Sequence, residues 1–250
     1  MKLRLATVRW YVLVGGIAAL LLISVIFKPR ILISAVQFLK GRASVSERVA
    51  QYGPTAEPRL KERFAAAGVA YPPKTVTLLA IKQEWYVWLY ASDGGALKQI
   101  VAFPIKGASG TYGPKLVQGD RQVPEGFYRI ESLNPNSLYH LSMRLDYPNQ
   151  EDRNAAATDG RTDLGGDTMI HGKTGSVGCI AMGDPAIEEL FILAARVGVE
   201  NVDVVIAPAR EPWILLADDA PGWLRDRYSR LKTRLEELKP VASPSAESAR

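Results

Sequence analysis

Residues 75–91 read TVTLLAIKQEWYVWLYA. Two runs of aliphatic, β-branched and aromatic side chains, 75–81 and 85–91, flank the polar KQE, and this pattern predicts a pair of strands joined as a hairpin. Working outward, LKQIVAFPI (97–105) is a third strand, followed by a glycine-punctuated loop from Gly107 to Gly113. In GDRQVPEGFYRIESL (119–133), Pro124 and Gly126 are turn residues before a strand, and YHLSMRLDY (139–147) alternates as another. DTMIHG (167–172) is a short strand that ends in a loop, and NVDVVIAP (201–208) is the last core strand. Between them, 149–167 is polar and without period, the composition of a rim or lid loop.

Helices frame these strands. Asp184-Pro185 supplies an N-cap and a first-turn proline, so 186–198 is a helix that Gly198 closes. Residues 31–70 read as helical or mixed, with Pro54 and Pro58 near a helix start and Gly68 near its end. Near the C-terminus, Leu224, Tyr228, Leu231, Leu235 and Leu238 recur at alternating four- and three-residue spacing. Two heptads are too few for a coiled coil, so one apolar stripe docking a helix on the domain is the expected outcome. The tail VASPSAESAR has the composition of disorder.

The 250 residues include one cysteine and two histidines, which excludes an intrachain disulfide and a zinc finger. A formal charge of +5 favours anionic surroundings. Lys and Arg are nevertheless scattered, without a nucleic-acid-binding motif, so no nucleic-acid partner is expected. WYVLVGGIAALLLISVIF, residues 10–27, carries no charge over 18 residues and has Lys or Arg on both sides. That is about the minimum length for a bilayer-crossing helix, and the run is longer than the apolar region of a cleaved signal peptide. It predicts an N-terminal membrane anchor, with a cleaved signal peptide as the second choice, and basic residues on both sides leave the orientation to the function.

The segment IHGKTGSVGCIAMGD (170–184) concentrates the chemistry. Three glycines, Gly172, Gly175 and Gly178, separate His171 from Cys179, and a loop so built can bring its backbone close to a ligand. Cys179 precedes the expected start of the helix, where amide groups and the dipole lower a thiol's pKa, and His171 could take its proton. The alternative is a lone cysteine serving as a small buried hydrophobe.

His-Gly followed by Ser-x-Gly-Cys, with Met182 just beyond, resembles the signature of the L,D-transpeptidases of the YkuD type. LNPNSLYHLSMRLDYPN (133–149), GGDTMIHG (165–172) and CIAMGDPAIEELF (179–191) are most similar to the YafK-like subgroup. The resemblance covers about residues 71–208. It implies a mostly β (α+β) domain, a sandwich or barrel with peripheral helices, holding an exported cysteine enzyme that acts on peptidoglycan stem peptides without a cofactor or metal. The resulting organisation is an anchor at 1–30, a helical juxtamembrane segment at 31–70, the catalytic domain at 71–208, and a helix with a disordered tail at 209–250.

By the resemblance Cys179 is the nucleophile and His171 the general base. Gly172 offers the carbonyl that orients the imidazole, while Ser176 and Gly178 frame the cysteine. Val177 stands where many members have a second histidine. The Gly178 and Cys179 amides are the candidates for an oxyanion hole. His140 is expected to be a structural histidine on a strand, with a role at the site as the second choice. Arg144, Arg121 and Arg161 are candidates for binding substrate carboxylates. Trp85, Trp88, Tyr112 and Tyr139 read as core or rim aromatics. Transfer to an amine and hydrolysis of stem-peptide or lipoprotein linkages are two fates of one acyl-enzyme. A tethered, non-catalytic wall-binding module is the competing class.

Overall fold

The computed structural model describes residues 41–241, and those from Ser44 onward belong to one compact unit. The expected membrane anchor and the C-terminal tail lie outside the described residues. Among the described residues no helix is long and apolar enough to cross a membrane.

Eight strands form one curled sheet in the order β3-β2-β1-β8-β4-β5-β6-β7. They are β1 (Thr75–Ile81), β2 (Tyr86–Ser92), β3 (Lys98–Pro104), β4 (Gly126–Asn134), β5 (Ser142–Leu145), β6 (Met169–His171), β7 (Ile180–Ala181) and β8 (Val202–Ala207). The β1–β8 and β6–β7 pairs are parallel, and the other pairs are antiparallel. The chain just beyond β3 meets the opposite edge: Gly107 bridges Ala181 of β7, with Ala181 N donating to Gly107 O at 2.8 Å. The two ends of the sheet are thereby tied together.

The hairpin of 75–91 forms as its sequence predicts, and its apolar run has a physical cause. Along β1, Val76, Leu78 and Ala80 face one core while Leu79 and Ile81 face another. A strand covered on both faces has no polar side to alternate with.

Helices α1 (Val45–Ala67) and α3 (Asp184–Val197) cover the first core. Helix α1 starts at a capping box, in which Ser44 Oγ accepts from Glu47 N at 3.2 Å and Ser44 N donates to Glu47 Oε2 at 2.6 Å. It ends at Gly68, with φ 62. Pro54 and Pro58, expected near a helix start, lie inside it. An interior proline costs roughly 3 kcal/mol. Burial of Ala56, Leu60 and Phe64, and an Arg59–Glu189 ion pair of 2.6 Å across to α3, offset that cost. The part of the juxtamembrane segment that forms α1 thus contributes Leu60 and Phe64 to the domain's core.

Part of the expected loop 149–167 is a helix, α2 (Gln150–Thr158). Asn149 and Asp152 form its capping box, a variant with the shorter acid, and only Asp152, Ala155 and Ala156 are buried. So brief an apolar face leaves no period to read.

The C-terminal α4 (Gly222–Leu238) docks through the expected stripe. Tyr228, Leu231, Leu235 and Leu238 pack on Leu79, Ile81, Trp88 and Val205. Beside that stripe Glu125 is 0% exposed. Its carboxylate accepts from Lys82 Nζ at 2.8 Å, Gly113 N at 2.9 Å and Tyr228 Oη at 2.6 Å. A buried carboxylate that loses its cation is strongly destabilising. Lys82→Met is therefore expected to lower unfolding free energy by about 3 kcal/mol or more, measured by chemical denaturation, while a substitution at the exposed Lys173 leaves it nearly unchanged.

Candidate active site

The site grows from β6, which pairs with β5 on one side (Ser142↔His171) and with β7 on the other (His171↔Ala181). In a parallel pair, residues in register lie on one face, and residues two apart on a strand share that face. Cys179 lies in the bend that leads into β7, two residues before Ala181. Its Sγ donates to Asp167 O at 3.6 Å and also interacts with the Met169 backbone, which sets the sulfur over the beginning of β6.

His171 is 3% exposed. Its Nδ1 lies 2.7 Å from Gly172 O, and since a carbonyl only accepts, Nδ1 carries the proton. Nε2 is left as the basic nitrogen. The Tyr139 ring, itself substantially exposed, lies 4.6 Å from the imidazole at 40°. Burial pushes the His171 pKa down, and the Gly172 hydrogen bond opposes that in part. Gly172 has no room for a side chain: a Cβ there would come within 2.7 Å of both Asp184 Oδ1 and Tyr139 O.

The loop between the two strands is held at several points. Gly183 N donates to Lys173 O at 2.9 Å, Met182 N to His171 O at 2.8 Å, and Ser176 Oγ to Cys179 O at 2.7 Å. Gly178, at φ 77, directs its amide to Ser109 Oγ at 2.7 Å.

Residues 77–206 match the family model of the L,D-transpeptidase catalytic domain, YkuD. The chain belongs to the YkuD L,D-transpeptidase family. It is 35% identical over 170 residues to YafK of Escherichia coli strain K12, and equally to YafK of Escherichia coli O157:H7. Each match covers 66% of this chain and 64% of the relative, so the chain spans slightly less than two thirds of these relatives' length. Among solved structures, the helical cell shape determining protein Pgp2 of Campylobacter jejuni aligns with TM-score 0.44 and 21% identity, over 67% of this chain and 71% of that one. Bd1075 of Bdellovibrio bacteriovorus aligns with TM-score 0.40 and 17% identity, over 67% and 57%.

Within this YkuD domain several expectations change. Cys179 does not sit at a helix start, because β7 and Met182–Gly183 intervene before α3. Burial raises its pKa, Asp167 adds to the rise, and the Met169 backbone and Lys115 oppose it. Both shifts run toward the uncharged forms, thiol and imidazole. The Gly178 amide, a candidate oxyanion donor, is taken by Ser109, which leaves the Cys179 amide as the remaining candidate.

His140 lies in a turn before β5, at φ 75, and not on a strand. Its Nε2 is 2.8 Å from Glu188 Oε1 of α3, and its ring meets Tyr52 of α1 edge-on at 4.9 Å. It joins two helices to the turn, as a structural histidine does. Arg144 pairs with Asp167 Oδ1 at 2.5 Å and Glu131 Oε2 at 2.7 Å. Arg161 is held by Asp159 at 2.8 Å and by Leu116 O at 2.9 Å. Both guanidinium groups are engaged within the chain, whereas Arg121 is exposed on a turn at φ 60. Trp88 is fully buried.

A cavity of about 230 Å³ opens beside β7, lined by Ile105, Ala108, Ser109, Ile180 and the rim aromatics Trp85 and Tyr112. It includes neither Cys179 nor His171, in keeping with Ile180 facing away from them. Sequence reasoning passed over Ser109, Lys115 and Asp167. Ser109 and Lys115 reach the site through folding and carry no local signal, whereas Asp167 lies within the quoted GGDTMIHG.

The pKa directions set a pH dependence. Alkylation of Cys179 by iodoacetamide, followed by intact mass, should climb across neutral pH and still be rising at about pH 9, above an ordinary thiol's midpoint. A plateau already reached at about pH 6 would instead mean a preformed thiolate–imidazolium pair.

Proposed function

We propose that this chain is a cysteine-dependent L,D-transpeptidase acting on peptidoglycan stem peptides. The observation that carries this reading is the imidazole of His171. Its Nδ1 proton is committed to the Gly172 carbonyl, its Nε2 is basic, and it stands on the strand in register with the segment of Cys179. Membership of the YkuD family supports it.

In this mechanism the Sγ–H proton passes to His171 Nε2 as sulfur attacks the carbonyl carbon of an L-centre-to-D-residue amide. Because the thiol is raised and the imidazole lowered, proton transfer accompanies attack rather than preceding it. The C–S bond forms, the C–N bond breaks, and the imidazolium returns its proton to the departing amine. A thioester remains on Cys179. The amine of a second stem then attacks that thioester, a new C–N bond forms as the C–S bond breaks, and the amine's proton passes through His171 Nε2 to sulfur, which regenerates the thiol. Water in place of the amine gives hydrolysis of the stem peptide, or of a lipoprotein linkage. The uncharged run 10–27 supports an anchored enzyme of the bacterial inner membrane with its catalytic domain in the periplasm.

Incubation with a stem peptide, with and without excess acceptor amine, tests the reading by mass spectrometry. The expected products are a thioester adduct on Cys179 and a cross-linked peptide. Cys179→Ala should lower turnover by roughly a factor of 10⁴ or more, and His171→Ala should be comparably severe. Free acid alone in excess acceptor would make the enzyme a hydrolase. Full turnover by Cys179→Ala would remove the mechanism.

A further inference from the structure

Gly107 and Ala181 exchange main-chain hydrogen bonds, with Ala181 N donating at 2.8 Å and Gly107 N at 3.2 Å, and Lys106 N adds a bond to Ala181 O at 2.7 Å. Continued antiparallel, that ladder would bring Ser109 opposite Cys179. It does not continue, because Gly178 turns at φ 77. The Gly178 amide is met instead by a side chain, Ser109 Oγ, at 2.7 Å.

The direction of that hydroxyl is determined. Ser109 Oγ lies 2.7 Å from Arg121 O, which can only accept, so its proton points there and a lone pair is left for Gly178 N–H. Both partners are themselves well held. The connection from β3 to β4 is braced by Asp120, whose carboxylate accepts from Leu116 N at 2.7 Å, Val117 N at 3.0 Å and Gln122 N at 3.0 Å. Glu125 anchors the same connection at Gly113. The segment carrying Cys179 is therefore gripped on both sides, by main chain at Ala181 and by one hydroxyl at Gly178.

We propose that Ser109 is a positioning residue for the nucleophile: its hydroxyl locks the Val177–Gly178 peptide, fixes the turn at Gly178 and so aims the Cys179 sulfur. The inference rests on Cys179 being the nucleophile. Ser109 touches no reacting atom and faces the cavity beside Ile180, so it acts only through the backbone. Gly178 N belongs to the Val177–Gly178 peptide, one α-carbon and one further peptide before the Cys179 α-carbon, so freeing it lets the chain turn at Gly178, at φ 77, and carries the Cys179 Cα–Cβ bond with it. Displacement of a reacting group by about an ångström costs on the order of a hundredfold in rate.

The test uses the full chain with Ser109→Ala, Ser109→Val and Ser109→Thr. Valine and threonine have nearly the same shape, so their difference isolates the hydroxyl, and the cavity gives their extra methyl group room. Cys179 is the only cysteine, so iodoacetamide alkylation read by intact mass reports this sulfur alone. Ala and Val are expected to lower kcat on a stem peptide by roughly 10- to 100-fold with KM within about twofold. They should also raise the alkylation rate, as the sulfur leaves its seat against Asp167, and Thr should restore both. Unchanged kcat and alkylation in Ala and Val would overturn the proposal. So would loss of a cooperative melt in both, which would make the hydroxyl a prop of the fold. If the wild type shows no turnover, the proposed function fails and the alkylation rates alone decide Ser109: no difference between Val and Thr overturns its role, and a faster Val supports it.

Discussion

Ala181 is the junction on which the site depends. It stands in register with His171 on one side and is bridged to Gly107 on the other, so the strand edges that would otherwise be open meet at this residue. The approach is close enough that Gly107 has no alternative, since a Cβ there would lie 1.8 Å from Thr174 O. Two very short strands would not persist alone. Here they persist because each is flanked on both sides, and the imidazole and the sulfur inherit that rigidity from the backbone.

The electrostatics of the site follow from the same closure. Burial disfavours charge on both partners, raising the thiol and lowering the imidazole. Both shifts favour the uncharged forms, and the Gly172 carbonyl fixes which ring nitrogen of His171 carries the proton. Glycine-rich loops are read as flexible, yet this one is pinned through Lys173, Ser176 and Gly178. Gly172 serves close approach and Gly178 a left-handed turn.

Away from the site, a buried polar network links the C-terminal helix to the connection that reaches the loop of Cys179. Tyr228 and Lys82 meet at Glu125, and Arg227 binds Glu125 O at 2.9 Å and Asp152 Oδ1 at 3.0 Å. Each group is partnered because a buried charge without one is costly. Helix α4 therefore braces the β3–β4 connection as well as covering apolar surface.

What the sequence by itself determined is the set of elements whose side-chain pattern is local. These are the β1–β2 hairpin, the other strands except β7, the stripe on α4, and the His-Gly and Ser-x-Gly-Cys pair with its family. Where local signals were weak or misleading, reading failed: α2 has too few buried residues to show a period, and the prolines of α1 suggest a boundary that packing overrides. The tertiary structure alone decided the environment of Cys179. Its raised pKa, the capture of the Gly178 amide by a serine some seventy residues away, and the assignment of His140 to a helix junction all arise from closing the sheet. Hydrogen bonding and desolvation depend on what lies nearby in space, and a pattern along the chain does not record distance across it.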